Sequence, residues 1–435
     1  MHNYLEKVSN IILLGIGSFF VLTFLFTRSF IGISIFGLRV GELSMAVSLL
    51  AFFFYIIYSL LYLNDDNSLL KELNFINLLM IISFVILAIV NNGSFISTYT
   101  YKSSSYIWSF GFFYLGYFLT KNLKISKFLP IFFVIYFVYL YVYAVYDFPE
   151  TLINLFLKIS DKYEPHKGSD ILIMLIAPLF FILRIYKRER KSIMYLLFIS
   201  SLFLPLLLYK SRGAFIAFLI FMTMELVRLK KGFRDSIWKN LVLLGLLVLI
   251  FVQSSFMVTK NEVRVDDVTN TINDLATYRI PDKEAEFILI YFVDGRAYSS
   301  DSNLNWRFQI WQDVVYDMAK NKLFISGYGF NEKIPAMNDP LRAGDDGLNE
   351  NIHNFLLNVF ARGGITQFLL YATLFFIIIK KLKEVFFNYS FMSFFTPLML
   401  ASFFDASMEN AHFPLILFFT VEMMFNKDKI LQDRI

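Results

Sequence analysis

The fold class this sequence predicts is an all-α, multi-pass membrane protein, on three observations. Hydrophobic residues make up 57% of the 435 positions and charged residues only 17%. Phe alone occurs 53 times. Apolar runs of about 17–25 residues, each long enough to cross a bilayer, recur along most of the chain. A soluble protein has no means of covering so much apolar surface with so few charges.

Hydropathy places about twelve spans. They lie near 10–27, 43–63, 74–91, 105–120, 128–147, 170–186, 192–209, 213–229, 239–257, 360–380, 391–407 and 411–426. The first apolar run lacks a small-residue cleavage site and reads as span one, not as a signal peptide. Basic clusters follow the even-numbered spans: Lys121, Lys124 and Lys127; "RIYKRERK" (184–191); "VRLKKGFRDSIWK" (227–239); and Lys380, Lys381 and Lys383. The positive-inside rule makes that side cytoplasmic, together with both termini. The net-acidic loop "NDDNSLLKE" is the exception. The chain then divides into spans one to nine (1–257), a large periplasmic loop (258–352), and spans ten to twelve with a short tail (353–435).

A loop of that length is usually functional. Within it, "NWRFQIWQDVVYDMAKN" puts Phe308, Trp311, Val314, Val315 and Met318 on one helical face, expected to pack on the membrane surface or the bundle. "SGYGF" reads as a tight turn. The segment 148–169 is expected to hold a short interfacial helix. No internal repeat is visible, and the long loop breaks any equal division into halves, which weighs against a transporter.

Four segments carry candidate chemistry. In "YKSRGAF" (209–215), Lys210 and Arg212 sit at the outer face against the cytoplasmic bias of the other bases. Either they snorkel to lipid headgroups or Arg212 captures a phosphate with its planar fork. Gly213 would admit a close ligand at a helix N-terminus. Arg307 opens the amphipathic helix, either as a functional cation or as a solvated surface residue. His353, one of four histidines, falls at helical spacing with Leu356, Leu357 and Phe360. It is either a hydrogen-bonded core residue or a general base. Asn354 is placed to cap the helix or to orient His353. In "DASMENAHF" (405–413), Asp405, Glu409 and His412 are ionisable groups at or near membrane depth, where such groups are usually functional. Pairing with an external arginine fits them better than a metal site. Arg362, inside the helix that follows His353, is either a third phosphate ligand or a partner for Asp405 or Glu409. With no cysteine in the chain, disulfides and thiolate metal sites are excluded.

In order and spacing, "SRGAF" (211–215), "RFQIW" (307–311), "GYG" (327–329) and "HNFLL" (353–357) resemble the O-antigen ligase and polymerase superfamily, most of all its Wzy-type polymerases. The resemblance covers roughly residues 205–415. Two details depart from it: "NKLFISGYG" lacks the usual preceding proline, and Gln367 stands where a second glycine after Gly364 is usual. The resemblance implies an inverting, metal-independent glycosyltransferase, without cofactor, at the periplasmic face of a bacterial inner membrane. Donor and acceptor would be undecaprenyl-pyrophosphate-linked oligosaccharides, with a chain-length regulator as a further protein partner and no nucleic acid. It assigns catalysis to His353, Arg212 and Arg307, and pyrophosphate or sugar contacts to Lys210, Asn354, Arg362, Asp405 and Glu409. A ligase that transfers to lipid A–core shares these motifs, and a lipid-linked oligosaccharide flippase is the alternative from another class.

Overall fold

The computed structural model describes residues 2–62, 68–91, 93–95, 97–120, 129–160, 163, 166–185, 189–230, 237–261, 271, 274, 289–342, 350–386 and 389–426. The basic cluster Lys121, Lys124 and Lys127, most of 262–288 and the tail beyond 426 lie outside them.

Among the described residues, twelve α-helices precede the long loop: α1 (His2–Ile31), α2 (Val40–Tyr62), α3 (Ser68–Val90), α4 (Thr98–Ser103), α5 (Ser105–Trp108), α6 (Gly111–Thr120), α7 (Leu129–Tyr146), α8 (Glu150–Ile159), α9 (Gly168–Ile185), α10 (Glu189–Lys210), α11 (Arg212–Arg228) and α12 (Ile237–Thr259). A hairpin, β1 (Ser34–Ile35) and β2 (Leu38–Arg39), joins the first two of them. The loop itself holds the antiparallel hairpin of β3 (Ile290–Val293) and β4 (Arg296–Ser299), followed by α13 (Ser302–Lys320). Three further α-helices follow among the described residues: α14 (Phe355–Val385), α15 (Met392–Phe404) and α16 (His412–Phe425).

Each of the twelve expected spans coincides with helix, but not all are full-length spans. Among the described residues, six helices are long and apolar enough to cross a membrane: α1, α2, α3, α10, α12 and α14. The pair α7 and α8 forms a seventh only as a unit bent by 81°, and α8 is the short helix expected within 148–169. The expected span 105–120 is broken between Trp108 and Gly111, and α15 and α16 are short apolar helices.

Burial sorts the helices into layers. Residues Ile171–Leu183 of α9 are almost wholly buried on every face, as are Phe413–Phe418 of α16. A helix that is apolar all round belongs in the middle of a bundle. Helices α2, α3, α7 and α12 instead expose large apolar side chains such as Phe54, Phe75, Ile135 and Leu249. A surface of that kind is stable in lipid, where backbone groups are satisfied inside helices and apolar side chains face acyl chains.

Helix α14 carries the feature that fastens the long loop. Gly364 has φ 62° and ψ −167°, a conformation that only glycine adopts readily, and the helix breaks there. The break frees backbone groups that the loop then satisfies. Tyr328 N donates to Ala361 O at 2.8 Å, Gly329 N to Arg362 O at 3.0 Å, and Ile365 N to Phe324 O at 2.7 Å. The turn "GYG" is therefore shaped to lie against a broken helix: Gly327 and Gly329 both have positive φ, and a Cβ at Gly327 would fall 2.4 Å from Arg362 O. Gln367, one turn beyond the break, donates to Met80 O of α3 at 2.9 Å, where a glycine could make no such bond.

The loop also has a small core of its own, in which Ile310, Val314 and Met318 of α13 pack with Ile334, Met337, Ile352 and Ala361. This corrects the expected face of α13. Val315 is exposed, while Ile310 takes the central buried place. The apolar arc of this helix is wider than one contact surface, and the loop core selects one edge of it. Trp311 covers part of the other edge, with its ring 5.6 Å from Phe403 at the end of α15 and its Nε1 donating to Ile352 O at 2.7 Å.

Candidate functional site

Five helix starts meet at the loop end of the bundle: those of α9, α11, α13, α14 and α16. Helix N-termini present unpaired N–H groups and positive potential, so their convergence favours anions.

The link between α10 and α11 is one residue long. Ser211 caps α11 by accepting from Ala214 N at 3.3 Å. The start of α9 presses on this turn, since a Cβ at Gly168 would lie 2.4 Å from that of Ser211. At Gly213 an added Cβ would meet only Ser211 Oγ, at 3.8 Å, so the backbone there is open to an approaching group. Arg212 extends to the long loop, its Nη1 3.5 Å from Asp301 Oδ2. Asp301 in turn caps α13 by accepting from Leu304 N at 2.7 Å. This joins the "SRG" turn to the start of the arginine-bearing helix. Arg307 is half-buried on that helix, beside Trp306.

The indole of Trp306 lies edge-on to the ring of His353, 5.2 Å between centroids. His353 is not on the helix face that its spacing suggested. It stands two residues before α14 with φ 50°, and Asn354 is the cap, accepting from Leu357 N at 3.0 Å. A left-handed conformation costs a non-glycine residue roughly 1–2 kcal/mol, so the surrounding contacts hold His353 there against a local preference. Its side chain stays 26% exposed, and its Nδ1 lies 3.9 Å from Asp405 Oδ1.

Asp405 terminates α15 and is fixed from two sides. Ser169 Oγ, at the start of α9, donates to Oδ2 at 2.6 Å, and Ala406 N donates to Oδ1 at 2.8 Å. Burial disfavours its charged form, but His353, Arg28 and Ser169 more than offset this and hold the carboxyl well below the usual range. Asp405 therefore presents a carboxylate to His353 at neutral pH. Glu409, four residues on, accepts from Asn358 Nδ2 at 2.7 Å and ties this turn to α14.

Arg362 is buried, and its partners are Glu332 O, Gly329 O at 3.5 Å and the Tyr99 hydroxyl at 2.7 Å. Its guanidinium thus pins the "GYG" turn and α4 to the helix break, and neither Asp405 nor Glu409 is its partner. Lys210 is half-buried at the end of α10, close enough to influence His166.

Sequence reasoning missed Arg28 and Asp170. Arg28 Nε donates to Asp170 Oδ2 at 2.6 Å and Nη2 to Oδ1 at 3.2 Å, while His412 Nε2 lies 2.8 Å from the same Oδ1. All three side chains are buried. Helix α1 is broken just before Arg28, where Thr27 has φ 43°. Thr27 Oγ1 is 3.3 Å from His166 Nδ1. Burial pushes His166 down to about 4, with Lys210 and His412 acting in the same direction and Asp170 and Asp147 opposing. The available signal was Arg28 itself, a base at the end of the first apolar run that lies on the loop side of the bundle. Among the described residues no group of three or more His, Asp or Glu is arranged to hold a metal ion.

Residues 197–372 match the family model described as O-antigen ligase. The matched segment, under half of the chain, contains Arg212, Arg307, His353 and Arg362 and ends before Asp405. No curated protein matches the chain. The family match and the apolar helices together support a multi-pass membrane enzyme of the glycosyltransferase kind, within the O-antigen ligase and polymerase superfamily.

Proposed function

We propose that the protein is a surface-polysaccharide polymerase of the bacterial inner membrane with its site on the periplasmic side. It moves a glycan from undecaprenyl pyrophosphate to the terminal sugar hydroxyl of another lipid-linked repeat unit. The observation that carries this reading is the placement of His353, strained, partly exposed and faced by an ionised Asp405, beside the helix that bears Arg307 and is capped by the partner of Arg212.

The reaction is an inverting displacement. Once Asp405 accepts a hydrogen bond from Nδ1–H of His353, Nε2 is left to take the proton of the acceptor hydroxyl. The acceptor oxygen attacks the anomeric carbon as the bond to the pyrophosphate oxygen breaks, and the electron pair leaves on the pyrophosphate. That growing charge is met by Arg212, Arg307 and the N-terminus of α11, in the manner of oxyanion stabilisation. Arg212 is suited to this because its pair with Asp301 is long and its side chain is 39% exposed. Exposed pairs of this kind contribute only about 0–1 kcal/mol, so a doubly charged phosphate competes for the guanidinium. The imidazolium formed at His353 is stabilised by Asp405. Their 3.9 Å separation shortens to a hydrogen bond when substrate closes the site, as catalytic contacts commonly do. No step passes through a metal.

The test supplies purified protein with an undecaprenyl-pyrophosphate oligosaccharide, alone and with lipid A–core. The expected result is chain extension without the core, lost in Arg212→Ala. Transfer only to the core would replace the polymerase with a ligase, and the absence of both products would remove the enzyme reading.

A further inference from the structure

We propose that the β3–β4 hairpin is a membrane-docking element, lying at the headgroup–acyl boundary of the leaflet on the loop side of the bundle, with lipid as its occupant.

Every residue of β3 is exposed, and every one is apolar or aromatic. Ile290 is 55% exposed, Tyr291 48%, Phe292 73% and Val293 48%, with Leu289 before them at 64%. Alternation sends Ile290 and Phe292 to one face and Tyr291 and Val293 to the other. A hairpin standing in water keeps at least one polar face, and this strand has none. Among the described residues the sheet has two strands. Its inner strand is fastened to α13: Arg296 donates to Asp313 at 2.7 Å and to Gln309 at 2.9 Å, and Ala297 N donates to Gln312 Oε1 at 2.7 Å. The apolar strand is therefore held outward on a fixed support.

Two-faced apolarity decides between occupants. A partner strand added at the free edge would pair the backbone and leave both side-chain faces in water. A protein surface packed on the hairpin would cover one face. Lipid covers both. The hairpin also stays near the bilayer, because Trp311 seats α13 on Phe403 and Phe404 at the end of α15.

The same chain exposes apolar side chains in two other short elements beside its spans. The β1–β2 hairpin, only residues 32–39 between two spans, exposes Ile35, Phe36 and Leu38, with Phe36 at 103%. Helix α8, turned 81° from α7, exposes Leu155, Leu157 and Ile159. The stacked pair Tyr291 and Tyr298, 5.8 Å apart, suits a boundary where rings meet acyl chains and hydroxyls meet water. The polar turn Asp294–Gly295 and the outer edge of β3, which pairs with no further strand among the described residues, keep the hairpin flat, about 5–10 Å into the boundary and no deeper, since hydrocarbon leaves unpaired backbone groups unsatisfied. Seated in this way, the hairpin sets the height of α13 above the membrane.

The chain has no cysteine, so single-cysteine probes need no prior substitution. Phe292→Cys and Val293→Cys, on opposite faces, are each labelled with an environment-sensitive fluorophore in the full-length protein in phosphatidylethanolamine–phosphatidylglycerol nanodiscs. Both are expected to show blue-shifted emission, quenching by spin-labelled lipid and little quenching by iodide. Iodide quenching of both sites overturns the proposal. Shielding of one face alone overturns it in favour of a packed protein surface. Protection that comes with disulfide cross-linking of two chains, in the unlabelled Phe292→Cys variant, overturns it in favour of a second copy of the chain. The readout does not depend on turnover, so it stands apart from the polymerase reading.

Discussion

Both ends of the bundle bury arginine against carboxylate, yet the two clusters are built differently. At the end opposite the loop, Glu225 is fully buried and takes Arg184 at 3.0 Å, Arg228 at 2.7 Å and the Ser393 hydroxyl. Arg184 also donates to Phe180 O at 2.7 Å and Ser390 O at 2.8 Å, and lies over the Phe180 ring at 3.5 Å. This cluster ties α9, α11 and α15 together and offers nothing to a ligand. At the loop end, the Arg28–Asp170–His412 group is just as closed. Beside it, however, His353, Asp405 and Arg212 keep 26%, 29% and 39% of their side chains exposed. The contrast teaches that an ionisable group at membrane depth is not in itself a mark of function. What separates the open cluster is access, together with side-chain contacts as long as 3.5 and 3.9 Å.

Three outcomes would break or sharpen that contrast. The largest belongs to the sealed end. Glu225→Ala leaves Arg184 buried without its carboxylate, at a cost of about 3–5 kcal/mol. The expected result is a sharp fall in folded yield and in the thermal midpoint in detergent, and a wild-type midpoint would erase the distinction between the two ends. At the open end, His353→Asn should leave the midpoint unchanged, because asparagine tolerates the left-handed backbone. Glycan transfer should fall by about 10²–10⁴, the usual contribution of a general base. Near-normal transfer in this variant would take the base role from His353.

The smallest effect is on pH. The folded protein lowers His166 from its ordinary 6.5 to about 4, so it holds the neutral form. The stability gained is complete above pH 6.5 and is lost as pH falls from 6.5 toward 4. Asp405, also lowered, contributes above the ordinary carboxylate pKa and loses its contribution only in more acidic solution. Thermal midpoints measured across this range should therefore drop first through His166, and His166→Gln should flatten the profile between pH 6.5 and 4. An unchanged profile in that variant would assign the acid sensitivity elsewhere.

How far the site was legible differs residue by residue. Arg212, Arg307 and His353 stand out in the sequence because each sits in a short motif, and the structure places all three at the loop end of the bundle. Asn354 was open between capping and orienting, and the structure makes it the cap. Helical spacing misplaced His353, since a period of 3.6 residues says nothing about where the first turn begins. Arg362 stands out for the same reason as Arg212, a cation in an apolar setting, and only the structure shows that carbonyl groups and Tyr99 are its partners within the protein. "GYG" read as a turn, whereas its fit to the break at Gly364 depends on a helix more than thirty residues away.

The sequence by itself determined the helices, their apolar character and the order of the motifs. These follow from local composition and period, which report whether each stretch meets lipid or water. Only the tertiary structure decided that Ser169, His353 and Asp405 converge, that Arg28 meets Asp170 and His412, and that Arg212 reaches Asp301. Those contacts link residues 52 to 242 positions apart. They exist because α9 and α16 pack side by side at the centre and bring several helix starts to one end. No local pattern encodes which helix starts will meet, since many packings of the same apolar helices bury similar area, and the polar groups at their ends select among them.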